Sequence, residues 1–358
     1  MSFRYPSCLM TGLAIAKDRF TLPTVVFLSC LFACPCYNAD GCKAAASPAI
    51  TATSPPAATA APHVALSAAG AAPSEHIVLH FPQDKAVGKL ILLKMGKNRE
   101  SYSEEPYAMA QGDISVSRAA LLLLEVNYHG AGDLSFLKKL PPGAIAGLRI
   151  EKLAITDEQF MALGGMKYIK SLDLSDVDIT DRGIMHIKEC KGLLELSLHS
   201  SRITGKGLEA VQNMQQLVSL SLDYNDLGDA SMASISGLKN LIWLRLKATD
   251  IGDAGMAHLK DLPHLRKLIV CANKRITDAS IPYILALPSL KRLDLTDCKI
   301  TAAGLMKLKK APSLTQVQFA YRDYPAGQLD QIKRALEHCK VVDGHASNVP
   351  LEVFSPLH

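Results

Sequence analysis

Large aliphatic residues return every 24 residues through most of this chain. The leading ones are Ile145, Ile169, Leu193, Leu217, Leu241, Leu265, Leu290 and Leu314, with a single step of 25 between Leu265 and Leu290. A fixed period in this range means one supersecondary unit stacked on copies of itself. The unit starting at Leu241 shows the pattern in full: Leu241, Leu244, Leu246, Thr249, Ile251, Gly252, Asp253, Gly255, Met256, Leu259 and Leu262. Leu-x-Leu alternates with period two, which puts both leucines on one face of a short strand. Thr180, Asp181, Asp253, Thr277 and Thr301 then stand where a helix N-cap belongs. Apolar residues three apart follow, compatible with one helical face. Pro263, Pro288 and Pro312 close the turn before the next strand. One unit cannot shield its apolar face alone, so neighbours must stack into a solenoid.

The run Ile300-Thr301 with Gly304-Leu305 and Leu308, and its counterparts in the other units, resembles the bacterial leucine-rich-repeat family built from "I-T-D-x-G-L-x-x-L" units. The resemblance covers roughly residues 121–340. It implies an α/β leucine-rich-repeat solenoid, a horseshoe, whose strands line the concave side. It also implies a non-enzymatic protein that binds another protein there. Counting back from Ile145 gives a degenerate first unit at 121–144, carrying Leu121, Leu124, Val126, Leu134, Leu137 and Leu140. Leu329, Ile332 and Leu336 form a closing helix, and residues 341–358 are read as a tail. Residues 76–120 hold three short strand patterns, His76–Phe81, Gly88–Leu93 and Gly112–Val116. They resemble the β-rich leader of some bacterial members, which would cap the first apolar face; a separate ligand-binding domain is the alternative.

The chain's beginning has a different composition. Arg4, Lys17 and Arg19 precede the apolar run Leu22–Cys34, which has signal-peptide length and is too short to span a bilayer as a helix. Residues 1–36 are therefore read as a signal peptide or lipoprotein-type signal, with Cys34 as the lipidation candidate after Leu31-Phe32-Ala33. Plain secretion, an uncleaved anchor and a start at Met10 stay open. Residues 37–75, dominated by Ala, Pro, Ser and Thr, lack the large side chains needed to offset chain entropy and read as a disordered linker. The expected location is the cell envelope or the outside of the cell, with no membrane contact beyond that signal or lipid. Cys190, Cys271, Cys298 and Cys339 read as small core or near-core residues, with Cys271 and Cys298 the one candidate pair.

No catalytic arrangement converges. Gly205-Lys206-Gly207 lacks a phosphate-loop frame, and no triad, metal motif or nucleophile elbow is present. A net charge of +5 is too mild and dispersed to argue for nucleic acid. No cofactor or metal is expected, and the chain is expected to be monomeric.

The residues between the buried leucines of each strand are expected to face solvent. In early units they are neutral or acidic. Later they include Trp243, Arg245, Lys247, Lys267 and Arg292, with Tyr224, His199 and Asp223 beside them. Trp, Tyr and Arg are the residue types most enriched in binding hot spots. A patch centred on Trp243, Arg245 and Lys247 is thus expected to take a protein partner with an acidic surface; an ordinary mixed surface is the competing reading. A host-directed effector of the F-box or ubiquitin-ligase substrate-recognition type is the alternative function. Leu140-Pro141-Pro142-Gly143 is its faint support.

Overall fold

The computed structural model describes residues 75–95 and 102–345. Cys34, the expected signal and linker up to residue 74, and residues 346–358 of the tail lie outside the described residues. The expected solenoid is present. After β1 (His76–His80), β2 (Gly88–Met95), β3 (Tyr102–Met109), β4 (Asp113–Ser117) and β5 (Leu122–Val126), each unit contributes one short strand: β6 (Gly147–Arg149), β7 (Ser171–Asp173), β8 (Glu195–Ser197), β9 (Ser219–Ser221), β10 (Trp243–Arg245), β11 (Lys267–Ile269), β12 (Arg292–Asp294), β13 (Gln316–Phe319) and β14 (Lys340–Asp343). All of these except β1 and β4 form one sheet of order β14-β13-β12-β11-β10-β9-β8-β7-β6-β5-β2-β3. From β5 to β14 every pairing is parallel and in register, so Leu148, Leu172, Leu196, Leu220, Leu244, Leu268 and Leu293 form one buried ladder. Each ladder leucine is at most 2% exposed, and burial of that kind is worth very roughly 1.5–3 kcal/mol per side chain.

The leader is β-rich, and it extends the sheet directly. β2 pairs antiparallel with β5 on one side and β3 on the other. β1 and β4 form a separate two-stranded sheet. The strand β3 has no counterpart in the sequence reading. Its Glu104, Glu105 and Pro106 disguise it, and they suit an edge strand, where a proline costs no ladder bond and charge discourages further pairing. At the far end the helix Ala326–Ala335 closes the core, and β14 carries the array to Asp343, beyond the expected boundary at 340.

The segments opposite the strands are shorter than helices of ordinary length. Before the closing helix they are short α and 3-10 segments of at most six residues each, as at Leu134–Lys139 and Ala302–Lys307. The capping assignment divides. Thr180, Thr277 and Thr301 are N-caps, but Asp181 and Asp253 occupy the first helical position and reach into the next unit. Asp181 accepts from the backbone N of Thr204 (2.6 Å), its hydroxyl (2.5 Å) and the backbone N of Gly207 (3.1 Å). Asp157 does the same to Thr180, Asp253 to Thr277 and Ser280, and Asp278 to Thr301.

That geometry explains the glycine of the repeat. A methyl group on Gly207 would stand 2.6 Å from Asp181 Oδ1, and Gly183, Gly255 and Gly304 face Asp157, Asp229 and Asp278 in the same way. Asp and Gly are therefore one inter-unit device. Asp181→Ala is expected to cost about 1–2 kcal/mol, and Gly207→Ala a similar amount. The double variant should cost clearly less than the sum, because removing the carboxylate frees the space the methyl needs. Urea unfolding of the four proteins measures this, and strict additivity would show that the two residues act separately.

The extra residue of the 25-residue step sits at Lys274-Arg275, as the spacing suggests. It does more than fill a loop: Arg275 reaches back over two units, to Asp229 Oδ2 at 2.6 Å and the carbonyl of Asp250 at 2.8 Å.

Candidate functional site

The concave side is built from three columns of side chains, one residue from each unit per column. The first runs Ser171, Glu195, Ser219, Trp243, Lys267, Arg292 and Gln316. The second runs Asp173, Ser197, Ser221, Arg245, Ile269, Asp294 and Gln318. The third, just past the strands, includes His199, Asp223, Lys247 and Cys271. These are the positions expected to face solvent, and here the structure corrects the sequence. Asp223 is fully buried, Lys267 is 3% exposed, and Glu195, Ile269, Cys271 and Asp294 are buried as well. Adjacent strands lie only about 4.8 Å apart, so in-register side chains pack on one another instead of standing free.

Of the expected patch, Trp243, Arg245, Lys247, Arg292 and His199 are half-buried, and Tyr224 is 44% exposed. Tyr224 owes its position to the backbone. It is the turn residue after its strand, with φ of 59°, in register with Ser200, Ala248 and Ala272, which are also left-handed. That turn sends the ring sideways, edge-on to His199 at 5.1 Å between ring centroids, with Lys247 Nζ 5.0 Å from its own centroid. Lys267 Nζ lies 4.3 Å from the Trp243 ring. Cation–π contacts of this kind contribute about 0.5–2 kcal/mol each, more as they are desolvated.

Arg245 is not an open charge. Its Nε and Nη2 both bond Asp223 Oδ2, at 2.7 and 2.5 Å, while Asp223 Oδ1 accepts the Lys247 backbone N at 2.8 Å. The pair neutralises itself. Lys267 differs: among the described residues it has no carboxylate within ion-pair distance. Burial, and then the neighbouring charges of Arg245 and Arg292, pull its pKa down to about 7, with Asp294 opposing. A small cavity of about 10 Å³ opens beside it, lined by Arg292, Asp294, Gln316 and Gln318. Gln316 and Gln318 belong to the unit at Leu314. The period places them in the same columns, so counting one unit further would have reached them.

The opposite end of the concave side is acidic. Arg149 reaches across the curled cap to Glu104 on β3 at 2.8 Å, and to Glu125 and Glu151, both at 3.4 Å. Burial and the adjacent Asp173 carboxyl push Glu151 up to about 7 against the pull of Arg149. Burial holds Glu195 well above the ordinary carboxylate range, with Ser171 opposing, and its Oε2 has no hydrogen-bond partner among the described residues. A larger hollow, of about 250 Å³, lies away from the strands, where Leu140–Gly143 meets Met166 and Tyr168. The four described cysteines are free thiols, so Cys271 and Cys298 are not paired; Cys298 Sγ donates instead to the Val270 carbonyl at 3.3 Å. Among the described residues no group of His, Cys, Asp and Glu is placed to hold a metal ion, and no helix is long and apolar enough to cross a membrane.

Residues 165–187 and 286–309 match the family described as leucine-rich repeat. Comparison with curated protein sequences finds no match. Among solved structures, an internalin from Listeria monocytogenes is 22% identical, with 59% of this chain and 57% of the internalin covered and a TM-score of 0.48. A plant peptide hormone receptor, in complex with its peptide, is 20% identical over 43% of this chain and 25% of the receptor, with a TM-score of 0.33. The chain thus spans little more than half the length of the first and a quarter of the second. The 24-residue period, the parallel one-strand-per-unit sheet and the two matched segments make this chain a leucine-rich-repeat protein.

Proposed function

We propose that the chain is a non-enzymatic scaffold that binds a protein partner on its concave side, through the aromatic and cationic ridge of Tyr224, Trp243, Lys247, Lys267 and Arg292. Solenoids of this type are scaffolds typical of protein-binding proteins. The observation that carries the finer reading is that ridge itself: two cations lie over two aromatic rings in neighbouring units. Such a surface favours a partner with negative charge, and electrostatic complementarity of this kind chiefly sets encounter rate and specificity. The N-terminal signal and linker expected from the sequence would present the horseshoe, as a monomer, at the cell envelope or outside the cell.

Arg245 is a poor test residue, since its removal would strand the buried Asp223. Trp243→Ala with Lys247→Ala is the better pair, because neither side chain holds a buried carboxylate. Affinity purification with the full chain, and mass spectrometry of what it captures, should give an acidic protein. The double variant should hold that protein at least about tenfold less tightly at unchanged circular dichroism. Equal affinity of the two proteins would remove the ridge from the interface.

A further inference from the structure

The ridge contains one group whose placement is costly to the fold. Lys267 is buried in the first concave column, between Trp243 on one strand and Arg292 on the other. Its neighbours Arg245 and Lys247 each have a partner: Asp223 for the first, the Tyr224 ring and its hydroxyl for the second. Among the described residues Lys267 has the Trp243 ring and no carboxylate, and the cavity of about 10 Å³ lies at its side.

We propose that this cavity is a carboxylate-recognition subsite, in which Lys267 receives the side-chain carboxylate of an Asp or Glu on the bound partner. The proposal rests on the binding reading above and names the group that the ridge recognises.

Three observations favour an anion that presents one oxygen to Lys267, as a side-chain carboxylate does. The first is charge. Lys267 and Arg292 line the cavity against the one carboxyl of Asp294, so basic groups outnumber acidic ones there and the site suits an anion. The second is room. The cavity, at about 10 Å³, is on the scale of one water molecule, room for a single oxygen of a carboxylate. The third is the rim. Gln316, half-buried, and Gln318, buried, also line the cavity, and both carry amide N–H groups able to donate to the second oxygen. Trp243 flanks Lys267 on the other side, so an entering carboxylate meets Lys267 in a desolvated setting where a charge-assisted hydrogen bond is strong. The lowered pKa of Lys267 agrees with this placement, since an arriving anion would pull the proton back onto the amine.

The chain has one tryptophan, so fluorescence reports this place alone. The full chain is titrated at pH 7 with the peptide acetyl-Gly-Glu-Gly-amide, and separately with acetyl-Gly-Gln-Gly-amide, sodium phosphate and sodium sulfate. Backbone amide shifts of Lys267, Arg292 and Gln316 serve as a second readout. The expected result is a saturable response to the Glu peptide alone, weakened at least tenfold in Lys267→Met and in Arg292→Gln. No saturable response to the Glu peptide overturns the assignment, and so does an undiminished one in Lys267→Met. Tighter binding of phosphate or sulfate overturns it in favour of a free oxyanion. Capture of the protein partner separates the two levels. If Trp243→Ala with Lys247→Ala loses the partner while Lys267→Met keeps it, the ridge stands as interface and the carboxylate subsite falls. If all three substitutions leave capture unchanged, the binding reading falls, whatever the peptides do.

Discussion

Replacing Asn273 by Ala should lower the stability of the protein by about 3–5 kcal/mol, among the largest effects expected of any side-chain truncation in the repeats. Asn273 is 1% exposed and works in both directions at once. Its Nδ2 donates to the carbonyls of Leu246 (2.6 Å), Val270 (2.8 Å) and Cys271 (3.4 Å). Its Oδ1 accepts from the backbone N of Thr249 (2.9 Å) and Ile251 (3.3 Å). Truncation leaves these groups buried without this partner, and each unsatisfied one costs about 1–3 kcal/mol. Asn225 occupies the same place two units earlier, but only its amide nitrogen is used; its Oδ1 has no partner among the described residues. Asn225→Ala should therefore cost roughly 1–2 kcal/mol less than Asn273→Ala. Asn273→Asp should be no better than Asn273→Ala, since a carboxylate would face carbonyl oxygens. Urea unfolding gives the totals, and faster hydrogen exchange at Thr249 and Ile251 would localise the loss. A cost under 1 kcal/mol for Asn273→Ala would sink this account.

Asn273 also marks where the sequence stops speaking. The period alone was enough to find the solenoid and to place Trp243, Lys267 and Arg292 in one column, because a strict 24-residue step in a parallel sheet puts equivalent residues side by side. It could not show that a position between two leucines is buried. Sheet alternation gives the face a side chain points to, whereas burial depends on the size of its neighbours on that face. Lys267 lies between Trp243 and Arg292, and Asp223 beneath Arg245, so both are covered. Nor could periodicity show that Asp181 serves the next unit instead of its own. The recurring Asp and Gly carry that information only once two units are stacked. The strand β3 was missed because Glu104, Glu105 and Pro106 break the apolar alternation of a strand, and what engages Glu104, the ion pair with Arg149, joins segments far apart in sequence.

Lys267→Met should stabilise the fold, and the gain should depend on pH. The amine titrates near 7 in the folded chain against an ordinary 10.5. Below pH 7 both folded and unfolded chains carry the proton, and the folded one bears the whole cost of a buried cation. Between about pH 7 and 10.5 the unfolded chain holds a proton that the folded chain has released, so raising the pH favours folding. The advantage of Lys267→Met should then be greatest at pH 6–7 and shrink by as much as about 2 kcal/mol on going to pH 8.5. Glu151 acts with the opposite sign. Its folded value near 7 lies above the ordinary 4.5, so the folded chain holds an extra proton between those limits and loses stability as pH rises through them. Glu195, held well above the ordinary carboxylate range, acts in the same sense as Glu151, so the effect of Lys267 is read from the difference between wild type and Lys267→Met, in which the two carboxyls cancel. Above pH 9 the raised thiols of Cys190 and Cys298 begin to oppose Lys267, which sets the useful upper limit of the scan. Chemical denaturation of wild type and Lys267→Met from pH 5.5 to 8.5 measures all of this. A pH-independent difference between the two would mean that Lys267 is solvated, and would take away the physical reason for giving it a ligand. A stabilised variant that no longer binds the Glu peptide would show the trade expected of a binding residue: a charge that weakens the fold and is compensated when the partner's carboxylate arrives.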